Sequence, residues 1–444
     1  MAKQRRRREL ELLDKILLEK GELIDSETLR KRLEREFREK LRILKAESER
    51  ILYHWYDEPL NAWVEINVDN LRKCLKELCG EEYLPFGRRK VVRLKVKTLL
   101  DICEGWSLAP EQLEKYKVFM RKFPVNLKSP VIVKLKTHVL NEGSISLRTK
   151  GRQLKASYCN KDPMLHYYFR SLLEKLGVTF NRPPSFDKSK GVYVTHIDAT
   201  TTRILQRAGV PFGPKTITNP SLDPRIYTDP KLRKYHFQAT LTEEGTTSIR
   251  VKRRRVVMRI SWARSIDITD QLIDEEKEKL KEILGPERRI AVGKLSEYIL
   301  EGRLPRRVLK IARITLPNLI DQEVSILNKL YRNQIKYRFV ELYPERLQLS
   351  KDGRFTVLWR AYIDRPEAID IMVRDFGVLP GTWKDERLRR QYKIYLRFRG
   401  RSLSDEELRE AKREKDMIPR RMPVEWRIRK FKEIFGQQFN DEFK

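Results

Sequence analysis

Cysteine and histidine are scarce in this chain of 444 residues, which holds four cysteines and five histidines. The cysteines are too few and too scattered for the disulfide framework of a small secreted domain. No His or Cys pair lies at zinc-site spacing near the first two cysteines. We therefore interpret all four as buried thiols; they are Cys74, Cys79, Cys103 and Cys159.

Long apolar runs are absent as well. No stretch of the chain approaches the roughly 18 consecutive apolar residues that a membrane-spanning helix needs. A signal-peptide pattern is also missing, because Arg5–Arg8 lead directly into a charged, amphipathic segment. We expect a soluble, cytoplasmic protein that does not enter a membrane.

Acidic residues are too few to balance the basic ones: 63 Asp and Glu stand against 96 Lys and Arg, which leaves a net charge of +33. An excess of this size implies a polyanionic partner. Nucleic acid is the first candidate, and an anionic membrane surface is the weaker alternative. Charged residues make up 36% of the chain, which also suits the ion-pair networks of a thermophile.

One pattern occurs twice, 102 residues apart: a helix that ends in Glu-Gly and is followed by an alternating strand. In Val131–Ser146, apolar residues recur at helical spacing up to Glu142, which a glycine follows. Glycine suits the end of a helix, and the alternation after it has the period of a half-buried strand. Phe237–Arg250 repeats this construction with Glu244 and another glycine. Two such copies indicate an internal duplication.

The duplication divides the chain into four parts. A mostly helical extension comes first, two repeats follow, and a basic helical tail ends the chain, with Trp426, Phe431 and Phe435 on a face that can dock on the core. Each repeat has the order helix, strand, strand, helix, strand, strand, helix. The parts are 1–125, 126–230, 231–390 and 391–444, with a basic helical insertion in the second repeat at about 274–317.

Alternating apolar and polar residues predict the strands of both repeats. The extension adds a possible basic hairpin at Arg88–Lys97 between two helices. The predicted strands are Ser144–Lys150, Gln153–Cys159, Val178–Arg182 and Gly191–Ile197 in the first repeat, and Ser248–Lys252, Val256–Trp262, Gln334–Tyr343 and Arg354–Ile363 in the second.

The repeated glutamates are the candidate chemical centre. If the two repeats pack by their Glu-Gly helices, Glu142 and Glu244 come close together at the helix ends. Two neighbouring carboxylates repel and raise each other's pKa, and Mg²⁺ removes that conflict. Divalent ions can then activate a water for phosphodiester hydrolysis. The alternative is that both glutamates are solvent-facing residues at helix ends.

The first strands of both repeats predict the binding surface. Polar and basic side chains alternate there with apolar ones, so they share one sheet face, which can hydrogen-bond to phosphates and base edges. The alternative is an ordinary solvent-exposed sheet face that binds nothing. The residues of this face are Ser144, Ser146, Arg148, Lys150, Gln153, Lys155 and Ser157 in the first repeat, and Ser248, Arg250, Lys252, Arg259 and Ser261 in the second.

These residues resemble the LAGLIDADG homing endonuclease family in its single-chain, two-repeat form. Leu135–Gly143 and Phe237–Gly245 occupy the nine motif positions, and the resemblance covers about 131–384. It implies an α+β fold in which an αββαββα unit is duplicated around two central helices, with a curved sheet on DNA.

The resemblance also implies roles for site residues. The metal-binding acids fall on Glu142 and Glu244, polar supporting residues on Asn160 and Arg264, and basic residues on Lys215 and, more loosely, Lys384. The chain departs from the family pattern within and at the ends of its motif helices. The unusual residues are Asn141 and Glu243 before the acids, Thr137 and Ala239 at the packing position, and Lys136 in an apolar stretch.

The resulting hypothesis is a monomer with pseudo-twofold symmetry that binds double-stranded DNA and cleaves it with Mg²⁺. One alternative is a non-cleaving descendant that binds structured RNA, such as ribosomal or intron RNA. The bulky Asn141 and Glu243, the long extension and the large charge favour this alternative. A DNA-binding regulator on the same fold is the third possibility.

Overall fold

The computed structural model describes residues 63–80, 89–95, 98–99, 108, 110–119, 127, 129–147, 154–178, 180 and 182–436. Helices and strands are mixed throughout, which confirms the predicted α+β class. Helices predicted in the first 60 residues lie outside the described residues. None of the helices in the described ranges is long and apolar enough to cross a membrane.

The part before residue 120 contains a small sheet as well as helices. Strand β1 (Trp63–Asn67) leads into helix α1 (Val68–Cys79), and strand β2 (Val91–Lys95) pairs antiparallel with β1. A short helix, α2 (Pro110–Lys115), follows. The predicted hairpin within Arg88–Lys97 is therefore wrong, because the partner of β2 lies before α1 in the chain.

The first half of the core is built on a four-stranded antiparallel sheet with the order β3-β4-β6-β5. Its helices cover one side of that sheet. The elements are α3 (Pro130–Glu142), β3 (Gly143–Leu147), β4 (Leu154–Asn160), α4 (Pro163–Glu174), β5 (Ser185–Asp187), β6 (Val192–Ile197) and α5 (Ala199–Arg207).

The predicted strand Val178–Arg182 is wrong. The amide of Val178 donates to the carbonyl of Leu173 at 3.1 Å, so Val178 completes the end of α4. The other described residues of the segment, Phe180 and Arg182, are not in a strand either. The third strand of the sheet is Ser185–Asp187, which pairs with β6.

A connecting segment with two single-turn helices, α6 (Lys215–Thr218) and α7 (Arg225–Thr228), leads to the second half. Its sheet has five strands in the order β7-β8-β11-β10-β9. The elements are α8 (Pro230–Glu243), β7 (Thr246–Lys252), β8 (Arg255–Asp267), α9 (Asp274–Leu284), β9 (Arg289–Ala291), α10 (Leu295–Leu300), α11 (Arg306–Ile314), α12 (Asn318–Leu330), β10 (Glu341–Leu349), β11 (Phe355–Ile363) and α13 (Pro366–Ile371).

The strand predicted at Gln334–Tyr343 begins later than expected. Asn328 on α12 accepts from the amide of Val340 at 2.9 Å and donates to its carbonyl at 3.1 Å. These bonds satisfy the backbone at the residue where pairing would otherwise begin. The strand then runs from Glu341 to Leu349, with an irregularity between Pro344 and Arg346.

The two central helices, α3 and α8, pack against each other at the middle of the molecule. Each begins with a side-chain cap followed by proline, at Ser129 and Asp229 respectively. Each is followed by a glycine at which a side chain would be too close to the preceding helical turn. A Cβ at Gly143 would lie 2.7 Å from the Cα of Val139, and a Cβ at Gly245 would lie 2.3 Å from the carbonyl oxygen of Leu241.

Three helices after the second half close the structure: α14 (Trp383–Phe398), α15 (Asp405–Asp416) and α16 (Val424–Phe435). Helix α16 docks on the first half. Phe431 stacks on Tyr193 with ring centroids 4.6 Å apart, and Trp426 donates to Glu386 at 2.9 Å. The apolar tail residues thus tie the end of the described chain to its first sheet.

Candidate active site at the ends of the central helices

The two repeated glutamates lie at corresponding ends of the central helices. Glu142 is the last residue of α3, and Glu244 is the residue directly after α8. Burial, together with the negative charges of Glu244 and Glu243, raises the pKa of Glu142 to about 7, although Lys215 and Lys384 act in the opposite direction. The structure therefore brings the two predicted carboxylates close enough to repel each other.

Glu244 has a cationic partner that Glu142 lacks among the described residues. Arg264 on β8 is buried and donates to Glu244 at 3.1 Å. The same guanidinium donates to Asn141 at 2.6 Å and to Glu323 on α12 at 3.2 Å. One arginine thus contacts the ends of both central helices and the helix behind them.

The two predicted lysines occupy corresponding places. Lys215 donates to the carbonyl of Asn141 at 2.6 Å and more weakly to that of Val139 at 3.4 Å. Lys384 donates to the carbonyl of Glu243 at 3.1 Å and to that of Gly245 at 2.6 Å. Each ammonium therefore neutralises the carbonyl end of a helix, where a cation is favoured.

Both lysines also face the carboxylates. Burial lowers the pKa of each to about 8, although the negative charges of Glu142 and Glu244 act in the opposite direction on both. Two of the three N–H donors on each ammonium are used by the carbonyls described above. Each lysine thus has one donor left to offer at the centre.

Asn141 and Glu243, the bulky residues at the motif ends, join the central helices. The side chain of Asn141 donates to Glu243 at 2.5 Å across the helix pair. The Glu243 carboxylate also accepts from Tyr158 at 2.5 Å and lies 2.5 Å from the imidazole of His138, which contacts the Tyr235 hydroxyl at 2.8 Å. A buried carboxylate costs free energy unless it is hydrogen-bonded, and this one has three partners.

A second buried carboxylate lies on the other side of the helix pair. Glu323 accepts from the Trp262 indole at 2.7 Å and lies 3.1 Å from the imidazole of His236, which contacts Thr137 at 3.2 Å. Burial raises the pKa of Glu323, but the guanidinium of Arg264 and these hydrogen bonds outweigh burial and lower it overall.

The sequence analysis missed both networks. Their residues lie on five different elements, so no local pattern links them. The available signal was the polar residues at apolar positions of the central helices, since a buried polar group needs a partner. Lys136 illustrates this: it is buried and lies 3.9 Å from the carboxylate of Asp223 in the connecting segment.

Asn160 is not part of the centre in the way that Arg264 is. Its side-chain oxygen accepts from the amide of Asp162 at 2.9 Å, which stabilises the turn into α4. Its position on β4 corresponds to that of Arg264 on β8, but its side chain contacts no carboxylate of the centre in the hydrogen bonds of the described residues.

The predicted sheet face is present in part. Ser144, Ser146 and Arg250 are exposed, whereas Lys155, Ser157, Ser248 and Arg259 are half-buried. Lys252 is the last residue of β7. Arg148, Lys150 and Gln153 lie outside the described residues.

Two residues of the predicted face are less accessible than expected. Ser261 is buried, and Arg360 from the neighbouring strand lies 3.4 Å from its hydroxyl. Arg259 pairs with Asp364 at 3.1 Å and lies over the ring of Tyr362 at 4.8 Å. Arg250 is therefore the better placed arginine on this part of the sheet.

The donor set at the centre fits magnesium. Within the described part of the chain, no group of three or more His, Cys, Asp or Glu side chains is placed to hold a metal ion. Mg²⁺, however, is commonly bound by one or two carboxylates together with substrate phosphates. Glu142 and Glu244 supply two such carboxylates, whose mutual repulsion a cation would relieve.

Two solved structures align with this chain at low sequence identity. No protein-family model matches the chain, and no curated protein matches it in sequence. The LAGLIDADG homing endonuclease I-GzeII in complex with its DNA target aligns over 65% of this chain and 97% of its own, with 8% identity and a TM-score of 0.32. The LAGLIDADG meganuclease I-AabMI bound to uncleaved DNA aligns over 70% and 100%, with 11% identity and a TM-score of 0.27.

Proposed function

We propose that this protein binds duplex DNA and cleaves it in a Mg²⁺-dependent reaction at Glu142 and Glu244. We also propose that the chain has four parts, namely 1–125, 126–230, 231–390 and 391–444. The two repeats would then form a duplicated LAGLIDADG-type arrangement. The protein would act as a monomer, because the two halves of one chain would supply both sides of the centre.

One observation carries the proposal. At the end of each central helix, a half-buried lysine donates to backbone carbonyls next to the glutamate, in both halves of a chain with a net charge of +33. A glutamate that merely happened to end a helix would not be expected to have a lysine beside it. The repeated Glu–Lys pair, placed where two helices meet, is suited to bind a phosphodiester and the cations that accompany it.

The roles of the residues follow from their chemistry. A divalent ion bound here would stabilise the charge that develops on the phosphate and help generate the attacking water. Glu142 has to be deprotonated to take part, and its pKa of about 7 places that change near neutral pH. The remaining N–H donors of Lys215 and Lys384 can hydrogen-bond to phosphate oxygens, one on each side of the centre.

Binding depends on other residues. The exposed and half-buried polar side chains of β3, β4 and β7, among them Lys155 and Arg250, supply contacts to phosphates and base edges. Because cleavage and binding use different side chains, they can be separated by mutation.

A randomised duplex library tests the proposal. The full-length protein is incubated with the library in Mg²⁺ or in EDTA, and the ends of the products are sequenced. We expect double-strand breaks at a preferred sequence in Mg²⁺ and none in EDTA. Lys215→Met and Lys384→Met should each slow cleavage at least tenfold, whereas Lys136→Met, which removes a lysine paired with Asp223, serves as the matched control for a buried lysine.

A second candidate function is supported by the Arg264–Glu244 pair. This guanidinium already neutralises one of the two carboxylates, which suits a centre that joins the two halves without cutting. In this case the protein would bind structured RNA. Tight binding to structured RNA, together with no product from any duplex library, would favour this function over cleavage.

A further inference from the structure

The helical insertion of the second repeat contains two consecutive helices joined by a tight turn. Helix α10 ends at Leu300, the turn covers 301–305, and α11 begins at Arg306. Gly302 has a φ of +72°, a conformation that glycine adopts most readily. The amides of Arg303 and Leu304 both donate to the carbonyl of Tyr298, so the turn is held by the end of α10.

Helix α11 has one buried and one basic face. Val308, Ile311 and Ala312 are buried, and the helix packs against β10 and the turn before α10. The opposite face presents Arg306, Lys310 and Arg313, whose i, i+4, i+7 spacing places them in one row. Among the described residues, no hydrogen bond or ion pair engages these three side chains.

The unengaged row belongs to a strongly basic segment. Residues 288–314 hold eight Arg and Lys and two Glu, which leaves +6. The preceding helix α9 has the opposite balance, with three Lys against five acids in 274–284, and Lys277, Lys279 and Lys281 all pair with acids of the same helix. The positive charge of the insertion is thus concentrated after α9, and half of these eight basic residues lie on α11.

We propose that α10 and α11 form a helix-turn-helix element that inserts α11 into the major groove of B-form DNA. In such elements the second helix lies in the groove, and its first residues contact base edges. A helix is about 10–12 Å across and the B-DNA major groove is about 12 Å wide. The deep, narrow major groove of A-form RNA does not admit side chains, so the occupant is duplex DNA.

The element lies away from the glutamate centre. Helix α11 packs on β10, which is three strands from β7, the strand that follows Glu244. At about 4.8 Å between strands, this separation is roughly 14 Å across the sheet. The element would therefore contact duplex DNA apart from the cleavage centre. It shares duplex DNA with the proposed function but does not depend on cleavage.

A triple substitution of the full-length protein tests this inference. The variant is Arg306→Ala/Lys310→Ala/Arg313→Ala, and the matched control is Arg390→Ala/Lys393→Ala/Arg413→Ala, three exposed residues of α14 and α15. Affinity is measured for a duplex DNA and for a double-stranded RNA of the same length, over a series of salt concentrations. Thermal melting of both variants checks that they are folded.

We expect the α11 variant to lose at least tenfold in affinity for duplex DNA and the control to lose less than threefold. The slope of log affinity against log salt should become shallower by about 1–3 for the α11 variant, since each lost phosphate contact contributes about 0.9. Affinity for the RNA duplex should stay within threefold. An equal loss on DNA and RNA, or an equal loss in the control, would overturn the groove-binding assignment, whether or not the protein cleaves.

Discussion

Apart from the insertion in the second half, the two halves of the core have the same order of elements, but the chemistry at their central ends differs. In the first half, Glu142 carries a raised pKa, and Asn160 in the corresponding strand turns away to cap a loop. In the second half, Glu244 is bonded to Arg264 at the position that corresponds to Asn160. Similar backbones therefore hold one carboxylate that can change its protonation near pH 7 and one that is paired with a permanent cation.

The halves also differ in the side chains that each contributes to the hydrogen bonds of the other. The first half supplies His138, Asn141 and Tyr158 as partners of the buried Glu243 in the second. The second half supplies Arg264 to Asn141 in return. Each side thus completes the hydrogen bonds of the other, so the joint between the halves depends on unlike residues at corresponding positions.

Removal of Arg264 should have the largest effect on stability. Arg264→Ala leaves Glu244 without its ion-pair partner and removes one partner each from Glu323 and Asn141. The loss of one member of a buried ion pair typically costs about 3–5 kcal/mol. Asn160→Ala removes only a cap in a turn and should cost about 1 kcal/mol. Urea denaturation of both variants measures the difference, and equal costs would show that the halves are energetically alike at these positions.

Loss of one donor to Glu243 should have the next largest effect. Tyr158→Phe removes a hydrogen bond to a buried carboxylate, which is worth about 1.5–3 kcal/mol. Tyr235→Phe removes a hydrogen bond to the imidazole of His138 and should cost about 1 kcal/mol. If the two phenylalanine variants unfolded at the same urea concentration, the carboxylate would not be the main acceptor of this network.

Much of the fold was predictable because its signals are local. The Glu-Gly ends of α3 and α8 are visible in the sequence, since helical spacing ends there and a glycine follows. The strand at Val178–Arg182 was wrongly predicted because the sequence shows only its local alternation. In the structure, the amide of Val178 instead donates to the carbonyl of Leu173 in α4. The partners of Glu243 and Glu323 were not predictable, because they lie up to 105 residues away and tertiary packing alone brings them together.

Removal of the charge of Glu142 and removal of the charge of Glu244 should change stability in opposite directions. The pKa of Glu142 is raised in the folded protein to about 7 from 4.5, so the folded state binds a proton that the unfolded state has released. Between these pH values the metal-free protein loses stability as pH rises, and the cost is complete above pH 7. Glu142→Gln removes this cost and should stabilise the protein at pH 8 by on the order of 1 kcal/mol.

Glu244→Gln is the matched comparison. This substitution removes the charge that pairs with buried Arg264 and should destabilise the protein at the same pH, in EDTA. Denaturation at pH 5 and pH 8 separates the two variants. Destabilisation by both substitutions at pH 8 would contradict the raised pKa of Glu142.

Two arginines of the second sheet should contribute unequally to DNA binding, with the smallest effects of this series. Arg250 is exposed on β7, whereas Arg259 on β8 is partly neutralised by Asp364. Arg250→Ala should lower affinity about threefold to tenfold, and Arg259→Ala less than threefold, because a charge already paired at the surface releases fewer counterions. Titration of a labelled duplex measures both, and a larger loss for Arg259→Ala would reverse the order.

The central claim is that Glu142 and Glu244 together form a cutting centre, and cleavage of a selected duplex by Glu→Gln variants tests it most directly. The wild-type protein, Glu142→Gln and Glu244→Gln are compared for binding and for double-strand cleavage in Mg²⁺. We predict that both variants bind within a few-fold of wild type and cleave slower by orders of magnitude, since the stabilisation lost is worth several kcal/mol. Tight binding by the wild-type protein without any product, or cleavage by either variant at the wild-type rate, would contradict the claim.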